Sequence, residues 1–209
     1  MQKLYFSKFF LNQHSDAGFS LIEMLVVIVM VGVLAAIATP SWLNMMRSQR
    51  LGAAQDQALS AMREAQSKAK KEKRVWEACF RENTDPATGQ LLVQWAVNRL
   101  NPTTPQCGSG FWQKLTEGNA NFIAIRNDQG GTSPYTVQFK QDGGVVDPTN
   151  TTIIGAKKTL ATQTNEQGKI TFISRDEVAN FNQNTFNQRC VIVSTTLGAI
   201  RTANDKDCN

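Results

Sequence analysis

Gly18-Phe19-Ser20-Leu21-Ile22-Glu23-Met24-Leu25-Val26-Val27-Ile28-Val29-Met30-Val31-Gly32-Val33-Leu34-Ala35-Ala36-Ile37 is the stretch on which the reading of this chain turns. From Phe19 to Ile37 only one charge, Glu23, interrupts the apolar run. About twenty such residues make a helix able to cross the ~30 Å hydrocarbon core of a bilayer. The run is too uniform for a soluble helix, which is apolar on one face only. Lys3 and Lys8 precede it, and by the positive-inside rule they favour a cytoplasmic N-terminus. A basic stretch after the run argues the other way, so charge alone leaves the orientation open. An ordinary secretory signal is the competing reading, with Ala35, Ala36 and Ala38 as the small residues of its cleavage site. Two features speak against it: the run is longer than a typical signal core, and a carboxylate stands near its start. An acid inside a bilayer costs about 2.5–3.5 kcal/mol on insertion scales, so Glu23 is a functional candidate whose partner has to be found.

The 209 residues, 41% of them hydrophobic, suit one domain with an appendage and exclude a disordered or collagen-like chain. A mean hydropathy of −0.31 excludes a polytopic membrane protein but not a single span. The lone histidine, His14, precedes the apolar run. If that leader is removed, no histidine is left for Ser-His-Asp or Cys-His catalysis or for a histidine-ligated metal. No other catalytic constellation is found; Ser194-Thr195-Thr196 has no base near it in sequence and reads as a hairpin turn. The net charge of +5 is local. Residues 47–74 hold eight Lys/Arg against three Asp/Glu, while residues 75–209 hold twelve of each. Such a stretch reads as a solvated helix face or a membrane-proximal anchor, with nucleic-acid binding as the sharper alternative.

Pro40 lacks a backbone donor and should kink or locally melt the helix. Trp42 suits a membrane interface. Beyond it, Leu51, Ala54, Ala58, Ala61, Met62, Ala65 and Ala69 recur at three- and four-residue steps, the stripe of an amphipathic helix. The pattern predicts one interrupted helix from about residue 20 to about residue 73. Its second half would present an Ala-rich stripe to a head that begins near Val75. Strands are expected at Val75–Phe80, Leu91–Val97, Asn121–Arg126, Tyr135–Phe139, Thr151–Ile154, Lys169–Ile173, Cys190–Ser194 and Gly198–Thr202. The turn chemistry between them is Asp85-Pro86-Ala87-Thr88-Gly89, Asn127-Asp128-Gln129-Gly130-Gly131, Asp142-Gly143-Gly144 and Glu166-Gln167-Gly168. Short alternating runs call for an antiparallel sheet, and a helix followed by that sheet gives an α+β class.

Gly18-Phe19-Ser20-Leu21-Ile22-Glu23 before an unbroken apolar helix resembles the signal of type IV pilins and type II secretion pseudopilins. In that family a membrane-embedded aspartic peptidase, the prepilin peptidase, cuts after the glycine and methylates the new amine. The resemblance places the cut between Gly18 and Phe19 and the methyl group on Phe19. It makes Glu23 the fifth mature residue, where the family keeps its glutamate, and puts Pro40 where many members carry a helix-bending proline. It implies a cleaved leader 1–18, a transmembrane helix 19–41, an amphipathic helix 42–74 and a β-rich globular head 75–209. The physics agrees. The Phe19 amine and the Glu23 carboxylate both resist low dielectric unpaired, and a staggered neighbour could pair each with its opposite. Gly32, Ala35, Ala36 and Ala38 would let such helices approach closely, or are simple filler.

Arg189-Cys190-Val191-Ile192-Val193-Ser194…Gly198-Ala199-Ile200-Arg201 resembles the last hairpin of the GspH/FimT-like subgroup, in which a long helix packs on two small antiparallel sheets. Some of its members bind DNA through a Gly-Arg-x-Arg turn. Here only Arg201 matches, Ala199 replaces the first arginine, and Asp205 and Asp207 offset Lys206. The four cysteines, Cys79, Cys107, Cys190 and Cys208, lie in the head and contain no CxxC, which argues for disulfides outside the cytoplasm and against zinc. Three pairings are open. The likeness to pilins, many of which close a short C-terminal loop, favours Cys190–Cys208 and leaves Cys79–Cys107. Asp205 with Asp207, or Asp142 with Asp147, could suggest calcium, as in some pseudopilins, but match no defined calcium loop, so solvated acids are expected. No metal and no cofactor is expected.

The resemblance implies a minor pilin or pseudopilin, stored as a single-pass protein of the inner (cytoplasmic) membrane with its head outside the cytoplasm. It would enter a type IV pilus serving adhesion, motility or DNA uptake. Its partners would be prepilin peptidase, other pilin subunits and the inner-membrane assembly platform. The alternatives are a GspH-like pseudopilin of type II secretion and a single-pass anchored binding protein that never polymerises. Mass spectrometry of the mature N-terminus separates the processing readings. The expected species begins at N-methylated Phe19, and Gly18→Val accumulates the uncut precursor. A terminus beyond Ala38 would mark an ordinary cleaved signal.

Overall fold

A computed structural model describes residues 18–100, 107, 111–115, 120–126, 135–146, 168–180 and 187–208. Its first element, α1, runs from Leu21 to Glu72. The helix ends in a Schellman arrangement. Lys73 adopts a left-handed φ of 53° and the Arg74 N–H reaches back to the Ala69 carbonyl at 3.3 Å. Lys70 and Lys71 in the last turn complement the negative end of the helix dipole. The expected interruption at Pro40 is not found, because the helix continues through that position. Proline removes one hydrogen bond, at a cost of about 3 kcal/mol, and leaves the bonds of the neighbouring turns in place. Beside it the Thr39 hydroxyl donates to the Ala35 carbonyl at 2.7 Å.

The chain divides into two compact units, Met1–Leu43 and Asn44–Asn209. In the first, every described side chain of the apolar stretch is exposed. In the second, residues 44–72 of α1 bury Leu51, Ala54, Gln55, Ala58, Ala61, Met62, Ala65 and Ala69, the predicted stripe with one glutamine added. Eight strands follow: β1 (Trp76–Thr84), β2 (Leu91–Arg99), β3 (Gln113–Lys114), β4 (Ile123–Ile125), β5 (Tyr135–Phe139), β6 (Gly168–Ser174), β7 (Gln188–Val193) and β8 (Ile200–Asn204). They form two four-stranded antiparallel sheets, ordered β3-β2-β1-β5 and β4-β6-β7-β8. Ala78, Phe80, Val137 and Phe139 of the first sheet meet Ile123, Ile170, Phe172 and Val191 of the second in one core with the helix stripe. The α+β expectation of a long helix with an antiparallel head therefore holds.

Most differences from the expected strands lie at their ends. β1 runs four residues further than expected because Arg81–Thr84 pair with Gln94–Leu91 across the hairpin closed at Asp85–Gly89. β4 is shorter than expected, since residues 120–122 are a turn. β8 begins at Ile200, not at Gly198. Gly198 has a φ of 81°, outside the strand region, and a Cβ there would lie 2.2 Å from the Gly143 carbonyl oxygen. β3 and the 3-10 helices Arg175–Asn180 and Asp205–Cys208 were not expected. The expected strand Thr151–Ile154, the turn at Asn127–Gly131 and Asp147 lie outside the described residues.

Two glutamines eleven residues apart, three helical turns, tie α1 to the sheets. Gln55 Nε2 donates to the carbonyls of Cys190 and Ala203, both at 2.8 Å, on β7 and β8. Gln66 Nε2 donates to the carbonyls of Gly143 and Gly198, again at 2.8 Å, in two separate turns. Gln55 is buried, so Gln55→Leu strands two carbonyls away from water. The expected loss is about 1–3 kcal/mol, or about 2–4 °C of melting temperature per kcal/mol. Asp56→Asn on the exposed face should stay within about 0.5 kcal/mol of wild type in the same thermal scan.

Candidate processing and assembly site

The start of α1 is built by Ser20. Its carbonyl accepts the N–H groups of Glu23 at 3.1 Å and Met24 at 3.2 Å, and its hydroxyl accepts the Glu23 N–H at 3.2 Å. Ser20 is therefore the N-cap and Glu23 the third helical residue, the positions of a capping-box serine and glutamate. A carboxylate in the first turn also complements the positive end of the helix dipole. Gly18 and Phe19 precede the cap and are exposed, Phe19 by 75%. A Cβ on Gly18 would meet no atom within 4 Å. The fold of this chain thus has no need of glycine at position 18, and a requirement for it would come from whatever binds the segment. Glu23 is exposed, as are Leu21 to Leu43 wherever side chains are described. α1 is long and apolar enough to cross a membrane.

The remaining candidates fall elsewhere. Arg201 lies on β8 and not in the turn, and its Nε donates to Ser194 Oγ at 3.0 Å. The turn that would correspond to a DNA-binding one is occupied internally: Ser194 N–H bonds the Ala199 carbonyl and Gln66 holds Gly198. Asp205 Oδ1 accepts the Gln188 N–H at 3.3 Å and ties the end of β8 to β7, while Asp142 Oδ1 accepts the Gly144 N–H at 2.8 Å within a local turn. Cys79 is bonded to Cys107 and Cys190 to Cys208. The basic stretch is partly engaged with the head. Arg47 pairs with Asp176, Arg50 stacks on Phe122, and Lys68 pairs with Glu64 and lies over Trp76.

One buried acid had no signal in the sequence beyond its place in an apolar strand. Glu77 of β1 is 3% exposed and stands in register between Asn98 of β2 and Gln138 of β5. Its Oε1 accepts the N–H of Cys107, whose φ is 60°, at 2.8 Å. Glu77, Cys79 and Cys107 have metal-ligand spacing, but their two sulfurs are spent on one another. Burial pushes the Glu77 carboxyl above the usual carboxylate range, against the lowering effect of the Cys107 amide and the Gln138 side chain.

Residues 13–39 match the family model described as the prokaryotic N-terminal methylation motif. By this match the chain carries an N-terminal methylation motif. Among solved structures it is similar to the type IV minor pilin FimU of Pseudomonas aeruginosa strain PAO1, at 12% identity over 73% of this chain and 92% of that one, with a TM-score of 0.41. No curated protein matches the chain. The pilin signal ends before the head begins, so the head has to be understood from its own chemistry.

Glu77 gives that chemistry a measurable sign. The folded state holds its proton more tightly than the unfolded chain does. Its contribution to stability is therefore present at low pH and is lost as pH rises from about 4.5 through the raised folded value. Glu77→Gln should remove this loss. Urea midpoints of wild type and variant should coincide at low pH and separate, variant higher, as pH rises. A separation independent of pH would show that Glu77 is not strained by burial.

Proposed function

We propose that this chain is a member of the type IV pilin family and a minor pilin, a structural subunit and not an enzyme, held in the inner membrane by residues 19–41 until it enters a type IV pilus. The observation that carries the reading is the methylation signal at residues 13–39, placed on an exposed, Ser20-capped helix start with Glu23 in its first turn. Cleavage between Gly18 and Phe19 by prepilin peptidase would leave a positive amine one residue before the cap. There it adds to the positive end of the helix dipole, an arrangement that is unfavourable by about 0.3–1 kcal/mol in water and worse in lipid. Glu23 of an incoming subunit relieves it by meeting the Phe19 amine of a subunit already in the fibre. The apolar side chains exposed along residues 21–43 then pack on those of neighbours. The two disulfides suit a head delivered to an oxidising compartment.

The test compares sheared fibres with the membrane fraction. Glu23→Ala eases insertion, so the variant should stay in the membrane at wild-type level and still be cut, yet be lost from fibres. Glu23→Gln should behave like Ala if charge is the cause. Equal recovery of wild type and both variants in fibres would sink the charge-pair mechanism. Recovery of the wild type with a secretion apparatus and not with pili would assign it to the type II branch of the same family.

A further inference from the structure

The head unit exposes apolar side chains at the end where it leaves the apolar segment. Met45 and Met46 on α1, Phe122 before β4, and Val178 in the 3-10 helix are exposed by 56, 36, 46 and 49%. Their segments are bound to one another. Arg47 pairs with Asp176 at 2.5 Å, the Arg50 guanidinium lies 4.2 Å from the centre of the Phe122 ring, and the Arg175 N–H donates to the Phe122 carbonyl at 2.9 Å. Arg189 Nη2 donates to Ser48 Oγ at 2.9 Å on the same helix turn. Among the described residues, the guanidinium groups of Arg47, Arg50, Arg175 and Arg189 thus gather here, with ion pairs to Asp176 and Glu82. Arg47 and Arg175 face carboxylates, whereas Arg50 and Arg189 meet a ring and a hydroxyl and keep their charge uncompensated by those partners.

We propose that this end of the head is a membrane-docking face, seated on the anionic phosphates of the bilayer that holds the helix. Apolar tips entering the headgroup layer, with arginines at phosphate level, are the combination that binds a lipid surface. A lipid surface is favoured over a second copy of the chain by continuity. Residues 21–43 make about 34 Å of helix at 1.5 Å per residue, against about 30 Å of hydrocarbon. Met45, Met46 and Arg47 follow that segment within four residues, at headgroup depth, and Arg47 holds Asp176. The proposal rests on the membrane-anchored reading above. A stored subunit would be held at two places, by its span and by this face, and the second hold would have to be released when the subunit is extracted.

The experiment uses the full-length chain, sparsely loaded in vesicles of phosphatidylcholine alone or of phosphatidylcholine with phosphatidylglycerol. Hydrogen exchange is followed in peptides covering residues 120–126 and 174–178. Co-flotation with vesicles reports anchoring separately. The expected result is severalfold slower exchange of these peptides in anionic vesicles than in neutral ones. Val178→Ser and Arg50→Gln should each reduce that difference, while peptides from β1 and β2 stay unchanged. Flotation with equal exchange in both vesicles overturns the docking face and leaves anchoring intact. Failure to float overturns anchoring and docking together. Protection that appears only in assembled fibres assigns the face to a second subunit and overturns the lipid assignment.

Discussion

Small side chains along one helix face set how near the two sheets can come to it. Ala54, Ala58, Ala61, Ala65 and Ala69 are all buried, and only Leu51 and Met62 add bulk on the same stripe. Distance between packed elements follows the side chains at the contact, so an alanine seam brings the sheets against the helix backbone and leaves the filling to Phe80, Phe139 and Phe172. Only at that distance can Gln55 and Gln66 reach carbonyls in the strands and turns beneath. Larger residues on the seam would cost about 1–3 kcal/mol by overpacking and would lift both glutamines off their acceptors.

The same helix meets two different surroundings. Up to Leu43 its described side chains are mostly large, apolar and exposed, while from Leu51 its buried face is mostly small and tightly covered. The first half cannot be satisfied within this chain and calls for lipid or a neighbour. The second half is satisfied by the head. One element therefore divides its labour by residue size. The Ser20 cap at one end and the left-handed Lys73 at the other settle the backbone groups that a helix leaves unpaired.

Much of this was legible from residue pattern. The helix limits followed from apolar periodicity, and seven of the eight described strands from alternation and turn residues. β3 was not, because Gln113-Lys114 has no pattern of its own and exists only through pairing with Gln94 and Trp95. The start of β8 was misplaced because Gly198 reads as strand until Gln66 and Gly143 are seen against it. Pro40 was expected to kink or locally melt the helix, and the bonds of the flanking turns carry the helix through it. At the N-terminus, Glu23 stood out as the one charge in the apolar run, and Gly18 and Phe19 only through the resemblance of the surrounding motif. The Ser20-x-x-Glu23 box is equally a sequence signal, masked by the apolar run in which Glu23 is the lone acid. Gln55 and Gln66 looked like surface polar residues, although their eleven-residue spacing on the alanine face was the available signal.

The seam also has a temporal meaning. Gln55 and its acceptors on Cys190 and Ala203 are 135 and 148 residues apart along the chain. Ribosomes add about 5–20 residues per second, so the helix waits about 7–30 s after its synthesis before the strands that cover it exist. An interval of that length is hazardous for a leucine-rich face. Alanine offers passing chains little to hold. The seam that fits the finished head is thus also one that can be left bare while the head is still being made.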